Sequence, residues 1–119
     1  MEMMMIDSEY FKRSEFACKC GCGFATVDVE LLSLLTEIRV YFNAPVIINS
    51  GCRCLEHNTN IGGSDGSKHM LGIAADIVVK GVSSIDVYTF IGFNVGNKYG
   101  IGSYNTFTHI DVRPDKARW

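Results

Sequence analysis

Proline is scarce in this chain of 119 residues, with only Pro45 and Pro114. No Gly/Ser-rich tract and no internal repeat accompany them, so nothing reads as a linker. One domain over residues 1–119 is expected, with 1–15 as an amino-terminal extension. Long apolar runs are lacking too, and no membrane insertion is expected. Neither sign of charge dominates: eleven Lys+Arg against thirteen Asp+Glu leave a net charge of −2. That balance lacks the basic footprint of a nucleic-acid binder, so no nucleic-acid partner is expected. The opening MEMMMIDSEYFKR carries acids where a secretory signal carries bases, which points to synthesis in the cytoplasm without a signal peptide. Hydrophobic residues make up 47% and charged residues 20%, which excludes intrinsic disorder and permits a buried core. The one unusual abundance is cysteine. Cys18, Cys20, Cys22, Cys52 and Cys54 are five in number and fall in two clusters.

The residues up to 27 read as irregular, with Gly21, Gly23 and the cysteines arguing for a cross-linked or metal-bound loop. From Asp28 the pattern turns helical, because Leu31, Leu34, Leu35, Ile38 and Phe42 recur at spacings of three and four. Asn43-Ala44-Pro45 ends that helix. Val46-Ile47-Ile48 reads as a short strand entering a turn at Asn49-Ser50-Gly51. The polar stretch from Cys52 to Gly72 reads as a long loop with one helical turn, and loops of that length are usually functional. A second strand is expected at Ala74–Val79. Ser83 or Ser84 caps a second helix that turns Ile85, Tyr88, Ile91 and Val95 inward. Two final strands, Tyr99–Tyr104 and Phe107–Val112, flank a hairpin turn at Asn105-Thr106. The sum is an α+β domain: a small antiparallel sheet flanked by two main helices.

Two of the three histidines have distinctive settings. His69 lies seven residues before Asp76, with Gly72 between to let the chain turn. In the last strand a period of two puts His109, Asp111 and Arg113 on one face, with Ile110 and Val112 on the other. Two imidazoles and a carboxylate suit zinc, leaving a fourth position for water. Such a site acidifies the water and polarises a carbonyl, as amide hydrolysis requires.

The string Ser67-x-His69-x-x-Gly72-x-Ala74-x-Asp76, followed by His109-x-Asp111, resembles the zinc D-alanyl-D-alanine carboxypeptidase family, peptidase M15. Phe16-x-Cys18-x-Cys20-x-Cys22-Gly23, Ser50-Gly51-x-Arg53-x-x-x-His57-Asn58 and Gly62-Gly63 are similar to its small, single-domain branch. The resemblance runs over residues 16 to 119 and implies the hedgehog/DD-peptidase-like fold. It implies His69, Asp76 and His109 as ligands of Zn2+, and Arg53 as the arginine that binds a substrate carboxylate or carbonyl oxygen. A guanidinium suits that task through charge-assisted, forked hydrogen bonds. A salt bridge of Arg53 to Glu56 is the alternative. Ser67 bonds within its own turn, and His57 belongs to the loop scaffold.

Asp111 has two readings: it orients His109, or it serves as general base towards the zinc-bound water. Many relatives carry an acid or histidine three residues before the last ligand, and Thr106 stands there in this chain. The resemblance implies a zinc metallopeptidase that cuts peptidoglycan peptides, as a carboxypeptidase or endopeptidase, acting on the cell wall after phage-type release. Its partner is the peptidoglycan peptide, and a monomer is expected. A wall-binding or structural module that keeps zinc without turnover is the alternative, favoured by Thr106. The cysteines read as disulfides between the two clusters or as a structural metal site, ahead of a nucleophilic role for Cys52 or Cys54.

Overall fold

Asp28 decides where the first helix begins. Its carboxylate accepts from the backbone N–H of Glu30 at 2.7 Å and of Leu31 at 3.3 Å, satisfying two donors that a helix start otherwise leaves bare. Helix α1 (Val29–Phe42) then buries Leu31, Leu34, Leu35 and Ile38 and ends at Asn43, which takes the left-handed conformation before Pro45. Each of these fully buried aliphatic side chains contributes about 1.5–3 kcal/mol by leaving water. The computed structural model describes residues 10–119 except 24, 26 and 65, and the backbone alone of Arg13. The extension expected over residues 1–15 therefore lies outside the described residues as far as residue 9. Within the rest of it, Phe11 is buried against Phe16 in the core.

The sheet has the order β1-β2-β4-β3-β5, from β1 (Val46–Ser50), β2 (Ala74–Val79), β3 (Gly100–Ser103), β4 (Thr108–Asp111) and β5 (Ala117–Arg118). All pairs are antiparallel except β3 with β5. Two further helices complete the fold: α2 (Leu55–Asn60) in the long polar loop, and α3 (Ser84–Val95), capped by the Ser83 side chain on Asp86 N–H. A 3-10 turn at Lys68–Leu71 ends at Gly72. The α+β expectation holds, with α1 packed on β1 and β2, and α3 on β2, β3 and β4.

Several local expectations differ from the structure. Asn49 and Ser50 belong to β1, because pairing continues to Ser50 opposite Asp76 across a register shift. Ile85 sits 55% exposed at the outer start of α3, and Val87 with Ile91 supplies the buried stripe. The polar loop holds six helical residues, and β5 adds a fifth strand.

Alternation along the strands divides the sheet into two chemically distinct faces. Ala75, Ile77 and Val79 of β2, Ile101 of β3 and Ile110 of β4 all join the core beneath the helices. Their neighbours of the other parity, Asp76, His109 and Asp111, face the opposite side. Among the described residues, no helix is long and apolar enough to cross a membrane.

Candidate metal centre

Strand pairing sets Asp76 of β2 directly opposite His109 of β4. Side chains so paired start about 5 Å apart at Cβ, close enough for one ligand to bridge them. His69 reaches the same point from the 3-10 turn. The Ser67 hydroxyl accepts from His69 N–H at 3.3 Å, and Arg53 N–H donates to the His69 carbonyl at 2.9 Å. Those bonds stitch the His69 turn to the Arg53 loop.

Asp76 Oδ1 lies 2.9 Å from His109 Nδ1 and 3.3 Å from His69 Nε2. Donor atoms around a tetrahedral zinc, with bonds of ~2.0–2.1 Å, stand about 3.3–3.4 Å apart. The set is therefore near the spacing the ion requires. Hydrogen bonding on the far side of each ring makes the same point. His69 Nδ1 is 2.6 Å from the Gly51 carbonyl, which can only accept, so Nδ1 carries a proton and Nε2 is the nitrogen left to face Asp76. His109 lies between two carboxylates, with Nε2 2.8 Å from Asp111 Oδ2 and Nδ1 2.9 Å from Asp76 Oδ1; as a neutral ligand it keeps its proton on Nε2 for Asp111 and turns the Nδ1 lone pair towards Asp76. With both rings neutral, two lone pairs and a carboxylate oxygen converge on one point, a donor set that a divalent cation completes; in the metal-free protein a proton on His109 Nδ1 serves Asp76 instead. The residues fit zinc.

Asp111 is fully buried behind His109. Its Oδ2 accepts from Arg113 Nη2 at 2.7 Å as well as from His109, and its Oδ1 accepts from Arg113 Nε at 2.8 Å and Arg113 N–H at 3.2 Å. With both oxygens engaged on the side of His109 away from Asp76, Asp111 is placed to hold the ring's orientation and faces away from the point beside Asp76. Gly100 makes room for this pair: a Cβ there would stand 2.6 Å from both Asp111 oxygens.

The charges follow the geometry. Burial would raise the Asp76 carboxyl, but hydrogen bonds from His109 and His69 outweigh it and hold the group well below the usual carboxylate range. Asp111 is depressed in the same way, burial being overcome by His109 and Arg113. For His109 burial disfavours the charge, yet hydrogen bonds to Asp111 and Asp76 prevail and raise its pKa above 6.5.

Arg53 borders the centre, with Nη2 3.5 Å from Asp76 Oδ2. Its other nitrogens reach Asn58 Oδ1 at 3.1 Å and Ser50 Oγ at 3.3 Å, and no bond to Glu56 is among its contacts. Asn58 is itself 2% exposed and donates to the Ser64 carbonyl, so the guanidinium rests on a fixed platform. The centre opens into a cleft of about 420 Å³. Arg53, Lys68 and Arg113 border it, and among the described residues Asp76 is its one carboxylate. Thr106 is exposed in the turn between Tyr104 and Phe107.

One wall of the cleft was not foreseen in the sequence. Tyr104 and Phe107 stack with ring centroids 4.4 Å apart, and Trp119 lies 5.2 Å from the His109 ring and under the Arg113 guanidinium. Trp119 Nε1–H donates to Tyr104 Oη at 2.8 Å. The aromatic spacing Tyr104-x-x-Phe107 was the only available signal; Trp119 depends on β5, a strand too short to show a period.

His57 lies in α2 and contributes its backbone N–H to the Cys54 sulfur. None of the five cysteines is joined in a disulfide: three of the cluster sulfurs stand 3.5–3.8 Å apart, well beyond a bond of about 2.05 Å. Among the described residues no thiol lines the cleft, so neither Cys52 nor Cys54 is placed as its nucleophile. No curated protein matches the chain. The family model for peptidase M15 matches residues 9–111, a span that takes in Arg53, His69, Asp76, His109 and Asp111. The chain belongs to the peptidase M15 family.

Proposed function

We propose that this peptidase is zinc-dependent and hydrolyses amide bonds in peptidoglycan peptides. The observation that carries the reading is the convergence of His69 Nε2, His109 Nδ1 and Asp76 Oδ1 on one point at the floor of an open cleft. Zinc held by these three residues supplies a Lewis acid and a water of lowered pKa. The chain's own residues supply the rest. Gly51 and Asp111 hold the two imidazole rings from behind, so His69 Nε2 and His109 Nδ1 are aimed at the position of the ion. Arg53, held by Asn58 and Ser50, presents N–H donors to a carboxylate or carbonyl oxygen of the substrate. The same donors stabilise negative charge as the carbonyl becomes tetrahedral.

Charge and shape support a wall peptide as substrate. Three cations, Arg53, Lys68 and Arg113, surround a cleft whose single carboxylate among the described residues is committed to the metal centre, and that complements an acidic peptide. The Tyr104, Phe107 and Trp119 wall gives a flat apolar surface for the peptide stem. We place this activity at the cell wall, reached by a phage-type release after synthesis in the cytoplasm, with the protein working as a monomer. One observation favours a second reading, a zinc-containing wall-binding module without turnover: the described cleft holds no acid beyond Asp76, and Thr106 occupies the position where relatives carry one.

Synthetic stem peptides with and without cross-bridges test the proposal. Zinc-loaded protein should release D-alanine or an internal fragment, detected by mass spectrometry, and His69→Ala should abolish the release. Peptide binding with no cleaved product at any pH would replace the enzyme by the binding module.

A further inference from the structure

We propose that Cys18, Cys20, Cys22 and Cys54 form a second metal site, a tetrathiolate that holds one structural zinc ion outside the cleft. The four sulfurs all lie within 4.8 Å of one another. The individual separations are 3.5 Å for Cys18–Cys20, 3.6 Å for Cys20–Cys54 and 3.8 Å for Cys18–Cys54. Sulfurs bound tetrahedrally to zinc at ~2.3 Å stand about 3.8 Å apart, so Cys18, Cys20 and Cys54 are near the spacing the ion needs, with Cys22 within 4.8 Å of each. A tetrahedral set of four sulfurs is also the arrangement that selects zinc over harder cations.

Local backbone is arranged to serve the sulfurs. Gly21, with φ of 82°, turns the chain between Cys20 and Cys22, and its N–H donates to the Cys18 carbonyl at 3.2 Å. That turn lets an alternating C-x-C-x-C segment bring three side chains to one point, where a strand would line them along one face about 6.6 Å apart. Two backbone donors face the cluster: Cys54 N–H points at Cys18 Sγ and His57 N–H at Cys54 Sγ, each at 3.4 Å. Sulfur accepts such bonds better as a thiolate, the form a metal binds, than as a thiol.

The fifth cysteine resolves the odd count. Cys52 is buried, and its thiol donates to the Phe16 carbonyl at 3.0 Å. Four cysteines bind, and one is a core residue with a hydrogen bond. The placement also gives the site a purpose. Cys54 directly follows Arg53, and Cys52 N–H bonds to the Phe16 carbonyl at 3.0 Å, so an ion here would clamp residues 16–22 onto the loop that positions Arg53. Zinc binding releases the thiol protons and adds its free energy to folding, which matters most in a small domain.

Cobalt(II) substitution of the wild-type chain tests this independently of the proposed activity, because the described cleft contains no sulfur. Titration of reduced, metal-free protein should take up about two cobalt ions, one of them with thiolate-to-cobalt charge-transfer absorption. In His69→Ala/Asp76→Ala that absorption should persist while uptake falls to about one ion per chain. Cys18→Ser/Cys54→Ser should lose the charge-transfer band. If this second variant is unfolded, the wild-type titration still decides. Absence of the band in reduced wild-type protein, or disulfides among these four residues in protein purified anaerobically, would overturn the proposal.

Discussion

Replacing Asp111 with Asn separates the two tasks this residue could perform. Its two oxygens accept from His109 Nε2, Arg113 Nη2, Arg113 Nε and the Arg113 backbone, and the side chain is fully buried. Asparagine keeps the shape but loses the charge, and one of its ends must set an NH2 against an N–H donor. Loss of a hydrogen bond with a charged partner costs about 1.5–3 kcal/mol, so urea denaturation of the metal-free protein should show a deficit of that size. The His109 ring also loses its anchor. Partners of metal-bound histidines typically contribute about 10–100-fold to metal affinity, or ~1.4–2.8 kcal/mol. Chelator competition should therefore show the zinc Kd rising by that factor, while kcat at saturating zinc stays within a few-fold of wild type. An unchanged zinc Kd with kcat reduced by ~10²–10⁴ would identify Asp111 as the general base and refute the orienting role.

Three other outcomes follow from the same geometry. Arg53→Ala should lower kcat/KM by about 10–100-fold, the scale of one or two charge-assisted bonds, with zinc content unchanged in elemental analysis. Gly100→Ala should destabilise the fold by about 1–3 kcal/mol in urea melts and weaken zinc binding, because the new Cβ lies 2.6 Å from the Asp111 carboxylate oxygens. The raised pKa of His109 in the metal-free protein means that its protonation stabilises the fold fully below pH 6.5 and stops doing so as pH rises through the folded value. Zinc competes with that proton, so its apparent affinity should climb over the same range, with proton release visible as a buffer-dependent heat in calorimetry.

Helix α1 and strand β2 were legible because each carries its own period. Leu31, Leu34, Leu35 and Ile38 mark one helical face, and Asp28 stands at the capping position. Ala74–Val79 appeared with its observed bounds. The shared face of His109 and Asp111 followed from alternation alone. What stayed hidden depends on pairing between distant segments. No local feature states that Asp76 faces His109 across two strands, since register is settled by the burial of whole strands and by turn geometry. Helix α2 was obscured by its polar composition, Leu-Glu-His-Asn-Thr-Asn, which lacks an apolar stripe. Ala117–Arg118 is too short for any periodicity, so the strand that brings Trp119 to the cleft had no signature. The cysteine clusters were visible as clusters, but only the fold separates Cys52, bonded to Phe16, from the four that gather.

The central claim is that His69, Asp76 and His109 hold a zinc ion that drives cleavage of wall peptides. Digestion of purified peptidoglycan, followed through the appearance of new amino groups, tests it most directly when the same sample is chelated and then resupplied with zinc. Amine release that stops on chelation, returns with zinc and is absent from Asp76→Ala is the predicted result. Release that continues undiminished in Asp76→Ala would contradict the account.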